Sequence, residues 1–185
     1  MAAALRLTYP EPDIALLEFD LPGKSVNVLA RAVLEELSGH LDAIEKRPGV
    51  AGLILISAKS TDFIAGADVR EFLAALQAGG GDVAGMSRHG HRLFSRLSSG
   101  PFVSVAAIHG VCLGGGAELA AWCDLRVMTT DDRTEYGCPE VKLGLIPGWG
   151  GTARLPRLIG LANAVELVTG GESIDARKAF ALGLA

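Results

Sequence analysis

Residues 53–72 and 103–122 are built to one plan, and that plan restricts the chain more than anything else in it. Each stretch opens with a continuous apolar run of strand length and passes through a turn of small residues. Each then enters a helix-forming segment with an acid in its first turn, Asp68 in one case and Glu118 in the other. An uninterrupted apolar strand belongs in a sheet covered on both faces. A strand followed by a helix returns to the sheet as a parallel neighbour through a right-handed crossover. Two such units side by side bring both helix N-termini to the carboxyl end of the strands. Unpaired N–H groups and partial positive charge collect there.

The rest of the chain fits α/β layers around that pair. Apolar-rich runs at 5–9 and 14–19 flank Pro10-Glu11-Pro12-Asp13 and predict a hairpin or two neighbouring edge strands. Leu29, Val33, Leu34, Leu37, Leu41 and Ile44 recur at helical spacing until Pro48-Gly49 stops them. Strands are expected over 50–57 and 102–108, each buried on both faces, with a short one at 125–128. Helices are expected over 69–76, 87–97, 117–122, 152–158, 162–169 and 175–184, the last capped by Asp175. Residues 77–85 predict a mobile loop, and 134–145 an irregular or weakly extended segment. With 185 residues, 49% hydrophobic but only 5% aromatic, the core is one of Ala, Leu, Val and Ile, sufficient for a single domain over 1–185.

Several classes of function are excluded. Net charge is −4 with the signs mixed along the chain, and no basic stripe with aromatics marks a nucleic-acid partner. No window approaches 18 apolar residues, and residues 1–7 lack the apolar core of a signal peptide, so a soluble cytoplasmic protein without a membrane span is expected. Cys112, Cys123 and Cys138 contain no C-x-x-C pair and predict reduced thiols rather than a disulfide or a zinc site. Residues 148–153 fit G-x-G-x-x-A, but no clear strand precedes them and no acid-tipped strand follows at the right distance. His40, His89, His91 and His109 have no ligand spacing with the cysteines, and His109 is expected to bond to backbone.

Chemistry gathers at the two small-residue turns. Gly114-Gly115-Gly116 interrupts the chain at the end of an apolar strand, at a cost in backbone entropy. Ile64-Ala65-Gly66-Ala67-Asp68 repeats the setting. One N–H from each turn would make an oxyanion hole for charge developing on a carbonyl oxygen. Glu118 and Glu140 are the candidate acid–base pair. Glu140 follows a strand and a loop that can return it to the same mouth, and shelter beside Pro139 would raise its pKa.

Three segments together carry a resemblance: Ile64-Ala65-Gly66-Ala67-Asp68; Ile108-His109-Gly110-Val111-Cys112-Leu113-Gly114-Gly115-Gly116-Ala117-Glu118-Leu119-Ala120; and Gly137-Cys138-Pro139-Glu140-Val141-Lys142-Leu143-Gly144-Leu145-Ile146-Pro147-Gly148-Trp149-Gly150-Gly151-Thr152. In this order and spacing the chain resembles the crotonase (enoyl-CoA hydratase/isomerase) superfamily along nearly its whole length. The resemblance implies repeated β-β-α units with a mainly parallel core sheet flanked by helices. It implies backbone donors at Ala67 and Gly115. Glu118 would activate the water added across the 2,3 double bond of an enoyl-CoA, and Glu140 would give the proton to C2. Ala65, Gly66 and Asp68 would receive the CoA moiety, with Gly114, Gly116 and Pro139 lining the site and Gly148 on its acyl side. No metal and no cofactor are implied, since CoA enters as part of the substrate.

Both carboxylates together favour a hydratase of fatty-acid β-oxidation, with Δ3–Δ2 isomerisation as a second activity of the same pair. Residues 24–29 and 155–160 look most like the hydratase domain of multifunctional fatty-acid oxidation α-subunits. Partners implied are further copies of the chain or a thiolase β-subunit. Family domains continue beyond the position of Ala185, so helices that cover the acyl site are expected outside this sequence. The alternatives are another acyl-CoA enzyme of the superfamily, and an inactive CoA-binding or assembly fragment of a larger protein.

Overall fold

The computed structural model describes residues 3–77 and 82–185. Leu5–Glu11 (β1) and Ile14–Phe19 (β2) form an antiparallel hairpin turned at Pro12-Asp13. Glu36 of the first helix, Arg31–Lys46 (α1), accepts the N–H groups of Ala4 and Leu5 at 3.0 and 2.9 Å and fixes the start of β1. The apolar stripe of α1 packs inward through Val33, Leu34, Leu37, Leu41 and Ile44, as its spacing predicts.

Three strand–strand–helix passages follow. Gly52–Ser57 (β3), Asp62–Ile64 (β4) and Val69–Gln77 (α2) make the first, continued by Val83–Ser99 (α3). Val103–Ile108 (β5), Val111–Leu113 (β6) and Gly115–Trp122 (α4) make the second. The third is Leu125–Met128 (β7), Glu135–Gly137 (β8) and a 3₁₀ turn at Pro139–Leu143. Gly151–Ile159 (α5), Leu161–Gly170 (α6), Ser173–Asp175 (β9) and Ala176–Ala181 (α7) complete the chain.

The first strand of each passage enters a five-stranded sheet of order β1-β2-β3-β5-β7, parallel except for the hairpin. The second strands build a four-stranded sheet, β4-β6-β8-β9, whose last pair is antiparallel. The β-β-α plan therefore produces two sheets, with every β-β step passing from the first to the second. The core lies between them and the helices. Its largest fully buried members include Tyr136, Phe63, Phe94, Leu53, Ile108 and Leu119.

Some expectations required revision. Alternate residues of β3 are buried while Gly52, Ile54 and Ile56 are half-covered, so the large sheet is dry on one face only. Helix α3 begins at Val83, inside the stretch 77–85 expected to be a loop; residues 78–81 of that stretch lie outside the described residues. Gly85 disguised the first turn of this helix, expected only from residue 87, but the Asp82 side chain accepts the Gly85 N–H at 2.6 Å and caps it. Strands β4, β6, β8 and β9 have three residues each, too few to display a period. The segment 134–145, expected to be irregular or weakly extended, holds the three-residue strand β8 and a 3₁₀ turn. Asp175 caps α7 as expected, accepting from the Lys178 N–H at 2.7 Å. His109 does bond to backbone, with Nε2 at 2.6 Å from the Lys59 carbonyl. Among the described residues no helix is long and apolar enough to cross a membrane.

Candidate active site

The glycine run is not one turn. Gly114 alone is the N-cap, with φ of +53°, and α4 has already begun at Gly115. Only glycine takes that φ at little cost. The next two glycines answer to packing. A Cβ on Gly116 would lie 2.5 Å from the Ile64 carbonyl oxygen, so α4 rests directly on the backbone of β4. A Cβ on Gly115 would lie 2.5 Å from Cζ3 of Trp149 and 3.5 Å from the Ala67 nitrogen. The close approach of two backbones thus requires small residues here.

That approach sets two N–H groups side by side. Residues 27–29 run along 65–68 as a short parallel bridge between Leu29 and Ala67. The Leu29 N–H donates to the Gly66 carbonyl at 2.8 Å, and the Asp68 N–H donates to the Leu29 carbonyl at 3.1 Å. This pairing leaves the Ala67 N–H outside the ladder. The Gly115 N–H belongs to the first turn of α4, where no intrahelical carbonyl is available. Among the described residues neither N–H has a hydrogen-bond partner.

Asn27 holds the bridge in place and is wholly buried. Its carbonyl accepts the Ala65 N–H, and its own N–H donates to Asp62 Oδ2. Its side chain accepts from the Leu21 N–H at 2.9 Å and donates to the Phe19 carbonyl at 2.9 Å and to Ser57 Oγ at 2.8 Å. One amide therefore joins the ends of β2 and β3 to the loop that flanks Ala67.

Glu118 stands in α4, one turn in from its start, and is 2% exposed. Its Oε1 accepts the N–H groups of Trp149 and Gly151 at 2.7 and 2.8 Å. Burial pushes its pKa up to about 7, against the pull of those N–H donors, and the Glu140 charge adds to the rise. Glu140 lies on the 3₁₀ turn behind Pro139, which occupies its first position. Burial raises its pKa as well. Its Oε1 would lie 3.2 Å from a Cβ on Gly114, and its Oε2 is buried with no hydrogen-bond partner among the described residues. The Glu140 charge thus contributes to the rise at Glu118, whereas burial is the main cause of the rise at Glu140.

The remaining candidates lie around this centre in different postures. Gly66, at φ +116°, faces the Leu113 carbonyl. The carboxylate of Asp68 accepts the Arg70 N–H at 3.0 Å and pairs with the Arg70 guanidinium at 3.6 Å. Gly148 is exposed, with open space where a Cβ would be, and its carbonyl accepts from Ser87 Oγ. Among the described residues no three His, Cys, Asp or Glu side chains cluster as a metal site requires, and the three cysteines are buried. Reading the sequence missed Asn27 and the N–H groups of Trp149 and Gly151. The glycines around Trp149 were the only available signal for the latter.

Among the described residues, two backbone N–H groups without hydrogen-bond partners thus lie near two carboxylates of raised pKa, in the turns that follow β4 and β6 and on the 3₁₀ turn after β8. Residues 11–185 match the family model described as enoyl-CoA hydratase/isomerase, and the chain belongs to that family. It is 44% identical over 181 residues to the fatty acid oxidation complex subunit alpha of Vibrio campbellii, covering 98% of this chain and 25% of that one. The same subunit from Vibrio cholerae is 47% identical over 182 residues, with the same coverage. The chain thus spans about a quarter of the length of these curated relatives. Among solved structures, an enoyl-CoA hydratase from Bacillus anthracis superposes with a TM-score of 0.88 at 34% identity, over 99% of this chain and 69% of that one.

Proposed function

We propose that this chain hydrates a trans-2-enoyl-CoA to a 3-hydroxyacyl-CoA. The observation that carries the reading is the buried Glu118 and the half-buried Glu140, both with raised pKa, near the N–H groups of Ala67 and Gly115. A thioester carbonyl held by the two donors is polarised along its conjugated double bond, so C3 becomes electrophilic. Glu118 takes a proton from a water as the water oxygen bonds to C3. Enolate charge moves onto the thioester oxygen, where fixed dipoles in a dry site stabilise it strongly. Glu140 then protonates C2. Water supplies the hydroxyl on C3 directly, and its remaining proton, passed from Glu118 to Glu140, replaces the one given to C2 and resets the pair.

The raised pKa values suit this exchange. A carboxylate poised near neutrality accepts and releases a proton with little penalty either way. Anchoring Oε1 of Glu118 leaves Oε2 for the water. The relatives are named as subunits of a fatty acid oxidation complex, and a place in fatty-acid β-oxidation beside a further subunit fits that name. The test is incubation of the protein with crotonyl-CoA. Loss of the conjugated-thioester absorbance, with 3-hydroxybutyryl-CoA as product, is expected. Unchanged absorbance with folded protein overturns the reading.

A further inference from the structure

Trp122, the last residue of α4, contributes nothing to the chemistry above, yet its indole is tied into the same site. Its Nε1–H donates to the carbonyl of Trp149 at 2.7 Å. The N–H of that same Trp149, together with the N–H of Gly151, holds Oε1 of Glu118. The intervening residue, Gly150, sits at φ +122°, and a Cβ there would lie 2.4 Å from Trp122 Nε1. The indole is therefore pressed against the inside of the turn whose outer face presents the two donors.

The indole is itself clamped. The Arg154 guanidinium lies over its ring, 4.7 Å from the centroid, and Arg154 Nε also donates to the Ala121 carbonyl at 3.1 Å. His91 of α3 meets the ring edge-on with centroids 6.1 Å apart. One rigid ring thus connects α3, α4 and α5 to three consecutive residues of a glycine-rich turn. Such a turn has little stiffness of its own, because Gly148, Gly150 and Gly151 restrict the backbone least.

We propose that Trp122 is a positioning residue for Glu118, acting through the backbone of Trp149, Gly150 and Gly151. It touches no reacting atom. Its indole N–H fixes the turn so that two backbone donors meet one oxygen of the carboxylate, leaving the other oxygen for the reaction. The inference rests on the role given to Glu118 above, but its test does not need turnover.

The groups that bear on Glu118 are Glu140, Tyr136 and Cys138, all carried by β8 or the segment that follows it. Those that face the indole are Arg154 and His91. None of these is altered by Trp122→Phe, which keeps a ring and deletes the donor. Because the turn donors pull the Glu118 pKa down, loosening them raises it. The experiment is a pH titration of the Glu118 carboxylate by infrared difference spectroscopy, with Glu118→Gln identifying the band, in the unaltered protein and in Trp122→Phe. An upward shift of about half a unit or more is expected, in line with the loss of roughly one hydrogen bond's worth of anchoring.

If enoyl-CoA hydration is observed, kcat falls by about 3- to 10-fold with KM little changed, and the low-pH limb of kcat moves up with the carboxylate. A Glu118 titration identical to that of the unaltered protein overturns the proposal, even if kcat or stability falls. Should Trp122→Phe not fold, benzothienylalanine at position 122 preserves the shape without the N–H, and the same comparison decides. Absence of hydration in the unaltered protein would refute the proposed function while leaving the infrared result to judge this inference.

Discussion

Replacing Asn27 by Leu tests how the site is supported. The residue is wholly buried, and Leu keeps its branching and number of heavy atoms with somewhat bulkier methyl groups. Three short side-chain hydrogen bonds are lost, to the Leu21 N–H, the Phe19 carbonyl and Ser57 Oγ, together with a longer one of 3.3 Å to the Phe63 carbonyl. These losses are unequal. The Phe19 carbonyl still accepts from the Ala58 N–H at 2.9 Å, and Ser57 Oγ still accepts from the Lys59 N–H at 3.0 Å. Leu21 N–H loses Asn27 Oδ1, its one partner among the described residues. Orphaning that donor costs about 1–3 kcal/mol, and the two other short bonds about 1 kcal/mol each, so a loss of roughly 3–5 kcal/mol is expected. Equilibrium urea unfolding of the unaltered and substituted proteins measures it. Asn27→Asp should be worse, because it turns an acceptor toward two oxygens and brings a charge beside Asp62, which already accepts from the Asn27 N–H. A loss below about 1 kcal/mol for Asn27→Leu, or a smaller loss for Asp than for Leu, would refute the reasoning.

Three further outcomes follow from the same structure. The pKa of Glu118 rises from an ordinary 4.5 to about 7, so folding binds its proton more tightly. The stabilising effect of the protonated form is complete below the unfolded value and is lost as pH climbs through about 7; between pH 4.5 and 8 Glu118→Gln should remove roughly 3 kcal/mol of pH dependence in urea unfolding. Gly116→Ala places a Cβ 2.5 Å from the Ile64 carbonyl and should push α4 off β4, costing about 1–3 kcal/mol in thermal unfolding and more than proportionate activity, because Gly115 and Ala67 separate. Gly39→Ala, on the exposed face of α1 with open space around it, should instead stabilise by about 0.5–1 kcal/mol in the same assay.

The sequence made the architecture readable where the elements were long. The stripe of α1 carries its period through the whole helix, and the apolar runs of β3 and β5 are six residues long, enough to fix the type of element though not which face is covered. The second sheet was not visible, since three-residue strands such as β4 and β8 owe their form to their neighbours rather than to their own pattern. The same limit applies around the site. Glu118 and Glu140 could be singled out as carboxylates beside small-residue turns. Their unequal environments could not, because the N–H groups that hold Glu118 come from residues 31 and 33 positions downstream. Asn27 read as loop because a buried amide is recognised by its partners, and those lie on β2, β3 and the chain between. The three glycines looked like a single turn for a related reason. Conformation demands glycine at Gly114, but at Gly115 and Gly116 the demand comes from Trp149 and Ile64 across the fold.

The central claim is that Glu118 and Glu140 act on one water beside the donors of Ala67 and Gly115. Initial rates of crotonyl-CoA hydration by the unaltered protein, Glu118→Gln and Glu140→Gln test it most directly, with folding checked by circular dichroism. Each substitution should lower kcat by roughly 100- to 10,000-fold, the range for a positioned acid or base. The double variant should be little worse than either single one, as groups acting as a unit require. A folded single variant that hydrates crotonyl-CoA within a few-fold of the unaltered rate would contradict the account.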